Sequence, residues 1–192
     1  DTKVKVNGKL AGKIHQGAFY QFKYNITPLL KFGKTNLLEV EVSKQSENAS
    51  INRAERDGDV WIFGGIFRPV YLEVVPKSHI GRLAINAKAD GDFSVQVFTD
   101  NVEKGYSLET QIERIGDGQK LKSISIPLSA SDTMATLEHQ YKDVALWSTE
   151  FPNLYTATVS LKNNEGKIIH SVRQKFGFRT VELRPHDGFY LN

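Results

Sequence analysis

The sequence predicts an all-β protein made of two successive sandwich-type parts. Three observations carry that expectation. Apolar and polar residues alternate with a period of two along most of the chain, as in Phe93-Ser94-Val95-Gln96-Val97 and Tyr155-Thr156-Ala157-Thr158-Val159-Ser160-Leu161. Turn signals such as Asn7-Gly8, Gly116-Asp117-Gly118-Gln119 and Asn163-Asn164-Glu165-Gly166 separate these runs. A helical pattern is almost absent, with Thr136–Trp147 offering only a weak one.

The elements follow in order. Thr2–Val6 and Lys9–Ile14 flank Asn7-Gly8, whose two residues tolerate the positive φ of a type I′ hairpin turn. Phe22, Tyr24 and Ile26 alternate with Lys23 and Asn25 and predict a strand that Pro28 ends. Leu38, Val40 and Val42 alternate with Glu39 and Glu41, which places the two carboxylates on a solvated face. Residues 44–60 are polar and aperiodic, and read as a long loop of the kind that is often functional. An aromatic block, Trp61–Pro69, leads into Val70–Val75, which reads as a closing strand, and Pro76-Lys77-Ser78 reads as a linker. Beyond it, six or seven short strands in about 105 residues, with turns every 8–12, predict an immunoglobulin-like sandwich.

Composition narrows the functions. With no cysteine there is no disulfide framework, zinc-thiolate site, iron–sulfur cluster or cysteine nucleophile. The 25 basic and 22 acidic residues give a net charge of +3, thinly spread, so nucleic acid is not an expected partner. No apolar run approaches the roughly 20 residues that span a bilayer, and no basic-then-apolar leader is seen, so no membrane partner is expected. The five histidines show no metal-ligand spacing, and no P-loop, dinucleotide fingerprint or G-x-S-x-G elbow occurs, so no cofactor or metal is expected. The sequons at Asn25 and Asn48 read as chance matches.

Two features could carry chemistry. Glu55, Asp57 and Asp59 form an acidic cluster that Arg53 and Arg56 interleave; paired carboxylates can act as acid and base in glycoside hydrolysis, but a plain solvated loop fits them best, and a substrate or cation contact fits better than catalysis. Trp61, Phe63 and Phe67 surround Gly64-Gly65. Flat rings of this kind either stack on the apolar faces of sugars or plug the end of the first sandwich.

These residues resemble glycoside hydrolase family 2. The resemblance rests on Val6-Asn7-Gly8-Lys9 with Gly12, Phe22–Thr27, Gly33–Val42, Gly64-Gly65-Ile66-Phe67-Arg68-Pro69-Val70-Tyr71-Leu72, Leu146-Trp147-Ser148 with Phe151–Tyr155, and Phe176-Gly177-Phe178-Arg179-Thr180-Val181-Glu182. It implies that residues 1–76 are the C-terminal part of a sugar-binding jelly roll, 77–181 an immunoglobulin-like sandwich and 182–192 the start of a link to a TIM-barrel catalytic domain. Both catalytic carboxylates of this retaining family lie in that barrel, so the chain by itself is expected to be inactive. In β-galactosidase members an Asp just before the Trp of the aromatic signature reaches the barrel's active site, touching substrate and a bound sodium; Asp59 matches that position, with Trp61 beside it. The resemblance thus implies a carbohydrate substrate and the chain's own barrel as partners, with Asp59 and Trp61 as substrate-binding residues. A homo-oligomer is compatible with it, and a periplasmic or secreted location is favoured over the cytoplasm. A free-standing carbohydrate-binding module, using the aromatic platform, is the alternative.

Overall fold

Asn7 and Gly8 turn the chain with φ of 52° and 78°, the pair of positive values a type I′ turn requires. They join Thr2–Val6 (β1) to Lys9–Leu10 (β2), with Val6 opposite Lys9. β1 pairs on its other side with Leu38–Val42 (β3), giving a three-stranded antiparallel sheet in the order β2-β1-β3. The computed structural model describes residues 1–57 and 64–192, in two units, Asp1–Leu72 and Glu73–Asn192.

Unit 1 is held by polar contacts more than by a core. Among its described apolar residues only Val6 is fully buried. The Asn7 side chain ties β1 to two later segments of the unit. Its Nδ2 donates to the Leu29 carbonyl at 2.9 Å and to Asn36 Oδ1 at 2.8 Å, and its Oδ1 accepts from the Leu37 N–H at 3.1 Å. Three bonds, two of them half-buried and one exposed, at about 0.5–1.5 kcal/mol each, on a residue that tolerates positive φ, make Asn7→Ala an expected loss of about 2–4 kcal/mol. Amide exchange at Leu37 measures it, and Asn7→Gly should recover the conformational share alone.

Three readings of this half need correction. Phe22–Ile26 does not form a strand: Phe22 stacks on His15 at 4.0 Å, and Tyr24 meets Phe22 edge-on at 5.5 Å. The Tyr24 ring lies where a Cβ on Gly12 would stand, 2.5 Å away, so the alternating aromatics build a local cluster instead of a ladder. Val70–Val75 is also not a strand, and Val70, Tyr71, Leu72 and Val74 are exposed. Alternation assigns faces but supplies no neighbour to bond to. Third, the polar stretch 44–60 contains a helix, Ala49–Arg56 (α1). Asn48 caps it, accepting from the Ser50 and Ile51 N–H groups at 3.0 and 3.4 Å, and Arg53 and Arg56 lie in its last turn, where the helix dipole favours cations.

Unit 2 is a two-sheet sandwich. Its strands are His79–Ala87 (β4), Asp92–Asp100 (β5), Ser107–Arg114 (β6), Ile124–Pro127 (β7), Met134–Gln140 (β8), Tyr155–Lys162 (β9) and Ile168–Phe176 (β10). One sheet runs β4-β5-β8 and the other β10-β9-β6-β7, all antiparallel. This three-plus-four arrangement is immunoglobulin-like. The weak helical reading of Thr136–Trp147 is therefore wrong: Leu137 alternates inward, fully buried, and pairs with Val95 across β5.

The period-two residues form the core. Phe93, Val95, Val97, Leu108, Ile112, Leu137, Ala157, Val159 and Leu161 are sealed from solvent. At one end, Phe93, Tyr141, Tyr155, Phe176 and Phe178 pack with ring centroids 5.1–6.3 Å apart. The tyrosine hydroxyls stay satisfied: Tyr141 donates to the Lys122 carbonyl at 2.9 Å, and Tyr155 accepts from the Ala145 N–H at 2.8 Å. Burial pushes the Tyr141 phenol up to about 12.

After β10 the chain forms a hairpin, Val181–Arg184 (β11) and Gly188–Leu191 (β12). The side chain of Asn192 ties it down, donating to the Trp147 carbonyl and accepting from the Thr180 N–H, both at 3.0 Å. The register puts Val181, Leu183, Phe189 and Leu191 on one face and Glu182, Arg184 and Tyr190 on the other. Arg184 stacks on Tyr190 at 3.8 Å, while Val181, Leu183 and Phe189 are exposed.

Candidate functional site

The residues singled out for sugar recognition follow directly from α1. That helix is fixed at both ends. Asn52 accepts from the Ser46 N–H at 2.9 Å and donates to the Ser46 carbonyl at 2.5 Å. One turn later, Glu55 Oε1 accepts from the Ala18 N–H at 2.7 Å. Asp57 ends the helix, its N–H bonding to the Arg53 carbonyl. The acidic cluster is thereby divided. Glu55 is engaged with backbone and Asp57 is an exposed cap, so among the described residues the cluster holds no free carboxylate pair for acid–base chemistry. Asp59, Trp61 and Phe63 lie outside the described residues.

What remains of the aromatic block is open. Phe67 and Ile66 are exposed, and the Arg68 guanidinium lies 5.5 Å from the Phe67 ring centroid. Tyr71 is exposed too, and its hydroxyl accepts from Gln21 Nε2 at 2.6 Å. Phe19 and Tyr20 add two more exposed rings in the segment that Glu55 holds. The Asn48 sequon residue is occupied as the helix cap, and Asn25 Oδ1 accepts from the Thr27 N–H at 3.1 Å.

Sequence reasoning missed one grouping. His79 and His170, which show no metal-ligand spacing in the sequence, stand with ring centroids 6.1 Å apart. His79 Nε2 is 3.5 Å from Asp100 Oδ2. Burial chiefly, and the neighbouring His79 second, lower the pKa of His170, while Glu73 works against them. Among the described residues no group of three or more metal-ligating side chains is suited to a metal ion.

Two β-rich units in series, one with a sealed sandwich core and one presenting exposed rings beside a capped helix, define a multi-part β-sandwich protein. The family model for glycosyl hydrolases family 2 matches residues 78–179, just over half of the chain. The chain belongs to that family. A β-galactosidase of Clostridium acetobutylicum is 35% identical over 184 residues, covering 94% of this chain and 20% of that protein. A protein of Formosa agariphila bearing a β-glucuronidase name is 32% identical over 197 residues, covering 100% of this chain and 23% of its own length. Among solved structures, a β-glycosidase from Bacteroides vulgatus aligns with a TM-score of 0.74 at 26% identity, over 99% of this chain and 24% of that one. The chain thus spans about a fifth to a quarter of the length of these relatives.

Proposed function

We propose that this chain is the non-catalytic β-sandwich part of a family 2 glycoside hydrolase, β-galactosidase-like in kind, and that it supports the catalytic barrel while lending the stretch 44–60 to its substrate pocket. The observation that carries this reading is the imbalance among the described residues of unit 1: of these, Val6 alone of the apolar residues is sealed, while Phe19, Tyr20, Ile66, Phe67, Tyr71 and Leu72 are exposed. So much exposed apolar surface on so small a unit marks a face meant to be covered. The apolar face of the β11–β12 hairpin extends the same argument to the end leading toward a barrel. On this reading residues 1–76 are jelly-roll, 77–181 immunoglobulin-like and 182–192 the link.

The chemistry assigned to Asp59 is recognition. A carboxylate accepts hydrogen bonds from sugar hydroxyls and pairs with a cation, and Trp61 offers a ring face to the sugar. Retaining hydrolysis needs two carboxylates about 5–5.5 Å apart, and those belong to the barrel. The 192-residue chain is therefore expected to turn over no chromogenic β-glycoside. Turnover abolished by Asp59→Ala would overturn that expectation. Saturation-transfer NMR against galactose, glucuronate, mannose, rhamnose and short β-linked oligosaccharides is the second arm. No binding supports the supporting role; binding lost in Trp61→Ala establishes instead a module that recognises sugar alone, a reading the exposure of Phe67 favours.

A further inference from the structure

The two edge strands that meet along one side of unit 2, β4 and β10, each carry an irregularity. The β4–β5 register shifts between Ile80 and Arg82, and the β10–β9 register shifts between Ile168 and His170. An extra residue in a strand re-aims its neighbours and leaves a backbone group outside the ladder. Here the consequence is a bond between the two sheets: the Ile80 N–H donates to His170 Nδ1 at 3.1 Å, across 90 residues of sequence. His79, the residue before Ile80, places its ring edge against that of His170.

The donor settles the tautomer. A backbone N–H can only donate, so Nδ1 of His170 is bare and its proton sits on Nε2. The only nitrogen free to take a second proton is the one that accepts from Ile80. Charging His170 and keeping that bond are mutually exclusive. The surrounding groups add to this. His79 on β4 brings a second ring, its Nε2 3.5 Å from Asp100 Oδ2 on β5 and its Nδ1 3.4 Å from the Lys77 carbonyl. Glu73, in the segment before β4, opposes the effect. Leu161, opposite His170 on β9, brings no charge.

We propose that His79 and His170 form an acid-released clasp, in which a proton on His170 Nδ1 breaks the Ile80 bond and frees the start of β4 from β10. The released point lies near the start of β4, the first strand of unit 2, where Ile80 is buried in the core cluster. Acid then loosens that end of the sandwich first.

The sign follows from the direction of the His170 shift. A histidine whose folded pKa is lowered contributes nothing above the ordinary value of about 6.5. It costs stability as pH falls through that value, because the unfolded chain takes the proton first. The Ile80 amide protection factor, measured by NMR between about pH 7.5 and pH 5, should stay flat down to about pH 6.5 and fall by up to about tenfold per pH unit below it. Val97, in the core, is the control. His170→Asn keeps an acceptor in the Nδ1 position that cannot titrate, and should hold Ile80 protection flat across the range. A flat profile in the unaltered chain, or an equal fall in His170→Asn, overturns the clasp. If His170→Asn does not fold, the ring nitrogens decide in the unaltered chain: nitrogen-15 shifts reporting a proton on Nδ1 at neutral pH overturn it, and a proton on Nε2 supports it.

Discussion

Phe93→Ala should cost unit 2 about 3–5 kcal/mol, the range for removing a large aromatic from a packed core. Phe93 is fully buried and its ring meets those of Tyr141, Phe176 and Phe178 at 5.3–6.3 Å. These rings are themselves fixed by the Tyr141–Lys122 bond and by the strand register, so the cavity has little room to collapse. A domain is stable by about 5–15 kcal/mol in all, and this one change removes a large part of it. Urea denaturation followed by Trp147 fluorescence or near-ultraviolet circular dichroism gives the number. Phe67→Ala is the counterpart: its ring is exposed, and the change should stay within about 0.5 kcal/mol.

Gly177→Ala should cost about 1–3 kcal/mol, the usual range for overpacking, and for a reason unconnected with backbone φ. A Cβ at position 177 would stand 2.7 Å from Trp147 Cβ and 3.2 Å from the Asn153 carbonyl oxygen. The space is needed because the Trp147 segment lies alongside the Phe-Gly-Phe-Arg run: the Trp147 N–H donates to the Phe178 carbonyl at 2.9 Å, and Arg179 stacks over the indole at 4.8 Å. Asn153 Nδ2 closes the arrangement on the Leu146 carbonyl. Two motifs about thirty residues apart in the sequence are thus one packed unit, and Gly177 is the gap that admits the tryptophan. Thermal unfolding should show the loss.

The core of unit 2 was legible because each strand buries one face: Phe93, Val95 and Val97 announce their side of the sheet whatever they pair with. The Asn7-Gly8 turn was legible because so few residue pairs take two positive φ values. Helix α1 was not, because it buries no apolar stripe; its signal was a single cap, Asn48. Phe22–Ile26 and Val70–Val75 were misread for the opposite reason, having the pattern of strands without a partner among the described residues. The candidate sugar-recognition residues were legible only by their chemistry. The engagement of Glu55 by Ala18 depends on a fold contact 37 residues apart. The meeting of His79 and His170 depends on two bulges that no periodicity reveals.

The sparse burial among the described residues of unit 1 has a consequence for how long the protein survives in a cell. With Val6 the one fully buried apolar residue among them, few buried contacts oppose local opening, and a surface that covered this unit would set how often its backbone opens to a protease. Copies left unassembled would be degraded from that end, while the sandwich that follows outlasts them.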